Sequence, residues 1–233
     1  MRAVLWALLA VSLPAIAGRP LTTDNASVLD GKRCQVESWW DRSRESSQAW
    51  LVPACNFGGG IEWQLGTART RADGDSRFSA AYLQAKTLLR SLDASPWGAG
   101  VVAGLARRPA NQRFRGFENP YVIVPVSFAV GSGLLHVNAG WNRDREARRD
   151  LATWGLAGEM PLTPRVAAMA AMAAMAEAFG RNGERPFRRA GGRMSVIRDS
   201  LDLDLTVVTR PGGTRDERFV SLGVFWQSGR FLP

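Results

Sequence analysis

Leu201-Asp202-Leu203-Asp204-Leu205-Thr206-Val207 alternates apolar and polar residues without a break. A strand sends successive side chains to opposite faces, so the segment reads as a strand with one aliphatic and one acidic face. Carboxylates turned toward a dry soluble core would carry a large desolvation cost unless paired. A wet lumen removes that cost and leaves the aliphatic face for lipid. The stretch therefore predicts a strand of a transmembrane barrel.

The same period recurs along the chain. Leu135, Val137, Ala139 and Trp141 alternate with His136, Asn138 and Asn142; Ala152, Trp154, Leu156 and Met160 alternate with Thr153, Gly155 and Glu159; Val220, Leu222, Val224 and Trp226 alternate with Ser221 and Gly223. Strands are expected at 33–41, 48–55, 61–70, 78–90, 97–107, 121–130, 134–143, 151–160, 166–179, 189–199, 201–210 and 218–227. Most reach the roughly 9 to 11 residues that a tilted strand needs to cross a bilayer. The expected fold is all-β: one up-and-down antiparallel barrel of about twelve strands over residues 33–233. His136, Asn138, Glu159, Asp202 and Asp204 are its candidate lumen-facing groups.

The connections alternate in character. Those after even-numbered strands are short turns such as Asn56-Phe57-Gly58-Gly59-Gly60 and Gly131-Ser132-Gly133, whereas those after odd-numbered strands are charged and carry most of the arginines. Solvated loops are charged in most proteins, but parity is not expected from solvation alone. With both termini in the periplasm, odd-numbered loops of an outer-membrane barrel face outward. Arg107, Arg108, Arg113, Arg115, Arg143, Arg145, Arg148, Arg149, Arg185, Arg188 and Arg189 thereby become candidates for binding lipopolysaccharide phosphates.

The N-terminus reads as a cleaved secretory signal over 1–17: Arg2 supplies the positive region, Leu5 to Leu13 the apolar one, and Ala15-Ile16-Ala17 the small-residue cleavage site. Its apolar run is shorter than the roughly 20 residues of a spanning helix. Residues 18–32 hold Pro, Thr, Asp and Asn without alternation and are expected as irregular chain at the periplasmic end or inside the lumen, where they could narrow a pore. The chain has a formal charge of +9, which points to an anionic partner. Export argues against nucleic acid, and no zinc, helix-turn-helix or RNA-binding signature accompanies the charge. Outer-membrane lipid, lipopolysaccharide and the outer-membrane assembly machinery are the expected partners.

Two segments depart from the pattern. Ala167-Ala168-Met169-Ala170-Ala171-Met172-Ala173-Ala174-Met175-Ala176 has helix-forming composition and a period of neither 2 nor 3.6, yet an even strand count assigns it to a strand. Trp39, Trp40, Trp50, Trp63, Trp97, Trp141 and Trp154 fall near strand ends or on apolar faces, as an interfacial aromatic belt would place them.

Chemistry is sparse. The single histidine, His136, invites an acid–base role. Its neighbour Asn138 resembles the partner found in barrel-embedded phospholipases, but the nucleophilic serine that such a site needs is not two residues on. The expectation is a lumen-facing His, no enzyme and no cofactor. Metal-ligand spacing is absent, and the glycine runs precede strands, not helices, as turns do.

The cysteines are more informative. If the first hairpin is symmetric about Arg44 and Glu45, partners have numbers summing to 89, so Cys34 opposes Cys55. Directly opposed residues have Cβ atoms about 4.5 to 5.5 Å apart, near the roughly 3.5 to 4.5 Å of a disulfide. An exported chain permits that bond.

Three stretches carry a family resemblance: Arg19-Pro20-Leu21-Thr22-Thr23-Asp24 with Cys34-Gln35-Val36-Glu37; Val52-Pro53-Ala54-Cys55-Asn56-Phe57; and Leu135-His136-Val137-Asn138-Ala139-Gly140-Trp141 with Thr153-Trp154-Gly155. They resemble uncharacterised proteobacterial outer-membrane barrels close to those assigned to phenol-degradation pathways. The resemblance implies a passive route for small hydrophobic or aromatic compounds. The alternatives are a non-transport barrel that stabilises the outer leaflet through its arginines, and a soluble periplasmic barrel.

Overall fold

A computed structural model of the protein describes residues 21–72, 74–107, 116–145, 147–162 and 172–230. Twelve strands follow one another: β1 (Arg33–Arg42), β2 (Ser46–Asn56), β3 (Ile61–Ala72), β4 (Asp75–Arg90), β5 (Trp97–Arg107), β6 (Asn119–Val130), β7 (Gly133–Asp144), β8 (Arg149–Pro161), β9 (Met172–Arg181), β10 (Phe187–Ile197), β11 (Leu201–Thr209) and β12 (Phe219–Gln227). Each pairs antiparallel with its sequence neighbours, and β1 pairs with β12, so the sheet closes. Closure pairs both edges, the requirement that lipid imposes on a spanning sheet. No helix among the described residues is long and apolar enough to cross a membrane.

The outward face is apolar. Leu51, Leu83, Leu105, Leu156, Leu205 and Leu222 are exposed on it. Trp63, Trp97 and Trp226 ring the end that carries the chain termini, and Trp40, Trp141 and Trp154 lie toward the other, distal end. Trp39 and Trp50 depart from the expected belt. They are register partners whose rings stack at 5.3 Å on the inner face.

Several strands run further than the sequence pattern implies. β4 begins at Asp75 and β2 at Ser46, so Arg71 and Arg77 belong to a paired ladder, with Gly74 at φ 84° in the turn between β3 and β4. Charge marked these residues as loop. Ladder hydrogen bonds depend on the backbone alone, however, so polar residues extend a hairpin beyond its apolar band. Of the Ala-Met repeat, residues 172–176 are strand, with Met175 buried and Met172 exposed. Residues 166–171 of the expected ninth strand and the leader 1–17 lie outside the described residues.

Cys34 opposes Cys55 in the β1–β2 register and the two form a disulfide. Both occupy outward positions, so the bond clamps the first hairpin without entering the lumen. Labelling the unfolded protein should find no reactive thiol before reduction and two per chain afterwards. Replacing both cysteines by serine should lower stability by at most about 3 kcal/mol, less in so far as the barrel already holds the hairpin.

Candidate functional site: a lumen occupied by the N-terminal segment

The inner face is polar because every second residue of each strand points there. His136 and Asn138 of β7, Asp202 and Asp204 of β11 and Glu177 of β9 are buried at such positions, and Glu159 of β8 is nearly so. What covers them is the chain itself. In residues 21–32, Thr23, Asn25, Ala26, Ser27 and Leu29 are all buried.

The segment is held mostly by its backbone. The N–H groups of Thr22 and Thr23 donate to the Glu177 carboxylate, each at 2.9 Å. Oriented with its nitrogen toward the Asp24 carbonyl, the Asn138 amide donates to that oxygen at 2.8 Å and accepts the Asp24 N–H at 2.6 Å. Ala26 N–H donates to Ser127 Oγ at 2.8 Å, Leu29 N–H donates to Glu62 at 2.8 Å, and Asn56 Nδ2 donates to the Leu29 carbonyl at 2.6 Å. Asp24 also meets Lys86 Nζ at 2.6 Å. An irregular segment has no ladder for its main-chain groups, and the lumen wall supplies the partners. Gly155 leaves the space: a Cβ there would collide with the Thr23 side chain.

The lone histidine belongs to this lock. Ser127 Oγ lies 2.7 Å from His136 Nδ1, and His136 Nε2 lies 3.5 Å from Glu159 Oε1. Sequence reasoning missed Ser127, which comes from the neighbouring strand β6, the register partner of His136. Serine, histidine and glutamate in a row have the order of a hydrolytic triad. Here the hydroxyl is 1% exposed and already bonded to the Ala26 N–H and the imidazole. In that arrangement the row holds the segment at Ala26. No group of three metal-ligating side chains occurs among the described residues.

Distal to the segment the lining turns aromatic. The stacked Trp39–Trp50 pair faces Tyr82 at 6.1 Å, Tyr82 Oη donates to Gln64 at 2.9 Å, and Tyr121 Oη donates to Gln84 at 2.6 Å. Gly66 and Gly104 make room for the two tyrosine rings. Phe179 and Phe187 stack at 5.4 Å on β9 and β10, across the barrel from β4.

The arginines divide. Arg145, Arg148, Arg149, Arg185 and Arg188 are exposed at the distal rim, and Arg107, half-buried, ends β5. Arg143 is paired with Asp150 at 2.7 Å. Arg189 is a correction: register points it inward, 3.1 Å from Glu177, so it is an interior counter-ion and not an outer-leaflet contact. Arg108, Arg113 and Arg115 lie outside the described residues. Arg210 ties two distal loops together, meeting Glu217 of its own loop and Glu184 of the β9–β10 loop, the latter at 2.9 Å.

The model of one family matches residues 5–225. The chain belongs to the uncharacterised conserved family UCP029691. No curated protein matches it in sequence. Solved structures share its fold. A COG4313 outer membrane channel from Pseudomonas putida F1 is 11% identical with a TM-score of 0.57, over 87% of this chain and 97% of that one. NanC porin is 8% identical with a TM-score of 0.55, over 84% and 98%. KdgM porin in complex with disordered oligogalacturonate is 10% identical with a TM-score of 0.55, over 82% and 98%. At such identities the likeness is one of fold alone: a small closed antiparallel barrel.

Two outcomes follow from these contacts. Glu177→Ala removes the acceptor of two backbone N–H groups. Taking about 1.5 kcal/mol for one charged hydrogen bond, amide exchange at Thr22 and Thr23 should quicken by about tenfold or more. At the rim, the Arg210 guanidinium holds the Glu217 carboxyl below its usual range. A lowered folded value means that the tie is fully present above the ordinary glutamate range and is lost as pH falls through the folded value. Protease cleavage within 210–218 should therefore rise only as pH falls below the ordinary glutamate range.

Proposed function

We propose that this protein is a narrow channel of the bacterial outer membrane, held shut at rest by residues 21–32, for small hydrophobic or aromatic compounds. The observation that carries the reading is the lumen itself: an aromatic distal vestibule ending on a segment bonded to the wall by its own backbone. A closed barrel with an aliphatic outer face and a tryptophan ring toward each end suits a bilayer, and the leader read over 1–17 supports export to that membrane. Aromatic walls favour planar apolar solutes, in keeping with the resemblance to barrels of phenol-degradation pathways.

Lipopolysaccharide phosphates are the partners proposed for the exposed rim arginines, and the outer-membrane assembly machinery for the folding chain. A purely structural role in the outer leaflet is the weaker reading, because Arg143, Arg181 and Arg210 already satisfy carboxylates of the chain itself. Deleting residues 21–29 should raise single-channel conductance in planar bilayers well above that of the full chain and speed the uptake of benzyl alcohol into proteoliposomes. Equal conductance would reject the segment as a plug. Flux at background in both proteins would reject the channel.

A further inference from the structure

Not all of the distal arginines belong to loops. Arg42 of β1 and Arg69 and Arg71 of β3 lie within paired strands, and all three are exposed. Parity assigns their face. Arg42 is two residues beyond the exposed Trp40, and Arg69 and Arg71 continue the outward series of Trp63, Leu65 and Thr67. All three therefore stand on the outer wall of the barrel, at its distal end.

Register brings them together. Arg42 pairs with Ser47 of β2, and Ser47 pairs with Arg71, so the three residues form one outward row. Neighbouring strands lie roughly 4.8 Å apart, which sets the backbones of Arg42 and Arg71 roughly 10 Å apart with only a serine between them. In the next row, toward the middle of the barrel, Trp40 pairs with Ala49 and Ala49 with Arg69. Ala49 is exposed and small, so the wall between Trp40 and Arg69 is low. Arg107 adds a guanidinium beyond them, over the ring of Phe78, the register partner of Arg69.

Charge on this arc is unbalanced. Among the described residues no acid holds an outward position on β1, β2 or β3, and the guanidinium groups of Arg42, Arg69 and Arg71 have no ion-pair or hydrogen-bond partner. Elsewhere on the outer wall Arg143 is neutralised by Asp150, its register partner. Like charges held this close repel one another unless a counter-ion joins them. Below the arginines, Leu51 and Leu65 belong to the exposed aliphatic band. Guanidinium groups take phosphate oxygens in bidentate fashion, and an interfacial indole beside an apolar wall suits acyl chains. The arc thus presents phosphate ligands above and an apolar surface below, the order of the parts of a lipid in the outer leaflet.

We propose that the outer wall of β1–β3 seats one phosphorylated glycolipid of the outer leaflet, its headgroup phosphate held by Arg42, Arg69 and Arg71 and its acyl chains lying over Ala49 and Leu51 beside Trp40. The seat rests on the outer-membrane reading above and is independent of the channel. It differs from the contacts proposed for the loop arginines in that its ligands stand on the paired sheet and reach the lipid from the side.

Native mass spectrometry of the folded full chain in detergent tests it, with diphosphoryl lipid A, its dephosphorylated form and phosphatidylglycerol as probes. Diphosphoryl lipid A should bind as a single adduct and displace phosphatidylglycerol. Replacing Arg42, Arg69 and Arg71 together by glutamine should weaken that binding by about tenfold or more, whereas Arg90→Gln, at the opposite end of the wall, should leave it unchanged. Migration as a heat-modifiable band on gels confirms that each variant folds. Should the triple variant not fold, removing the phosphates from the lipid makes the same test on the unaltered chain, with a loss at least as large. Equal binding of lipid A with and without its phosphates, or by the triple variant and the unaltered chain, overturns the seat and leaves the barrel in its membrane. An equal loss on replacing Arg145, Arg148 and Arg149 by glutamine moves the lipid to the loops and also overturns it. A chain that stays soluble without detergent removes the seat and the membrane reading together.

Discussion

Closure of β1 against β12 is the constraint on which the rest depends. A sheet with free edges cannot stand in hydrocarbon, because each unpaired N–H or C=O would cost several kcal/mol there. Closing the sheet removes the edges but encloses half of all side chains in a confined space. The strand period makes those side chains polar, so the interior must satisfy a dense set of carboxylates, amides and hydroxyls.

The N-terminal segment is part of that solution. An extended, irregular chain offers donors that a wall of acceptors lacks, and Glu177, Glu62 and Ser127 take them. Asn138 treats Asp24 as a neighbouring strand would, exchanging one donor and one acceptor. The same contacts that satisfy the wall also fill the lumen. Glycines such as Gly155 mark where the wall has yielded volume to the segment.

Charge is sorted by depth. Exposed arginines gather at the distal rim, while acids dominate the buried interior. A pI near 11 describes the rim and says nothing of the lumen. Loops can also restrain one another: Arg210 joins two of them, and Ser43 and Ser46 of the β1–β2 hairpin reach Asp216 of the β11–β12 loop.

The sequence by itself determined the strand period and the opposition of Cys34 to Cys55, since both follow from alternation and hairpin symmetry, which are local. It also marked His136, Asn138, Asp202 and Asp204 by the face they share. What only the tertiary structure decided is who meets whom across the barrel. Ser127 and His136 become partners through register. Trp39 and Trp50 turn inward although tryptophans near strand ends read as a belt, and Arg189 leaves the rim because the strand extends past its apolar band. Residues 21–32 carry no period, so their path could not be read from pattern. It was set by acceptors on strands up to 155 residues away, which no local reading brings together.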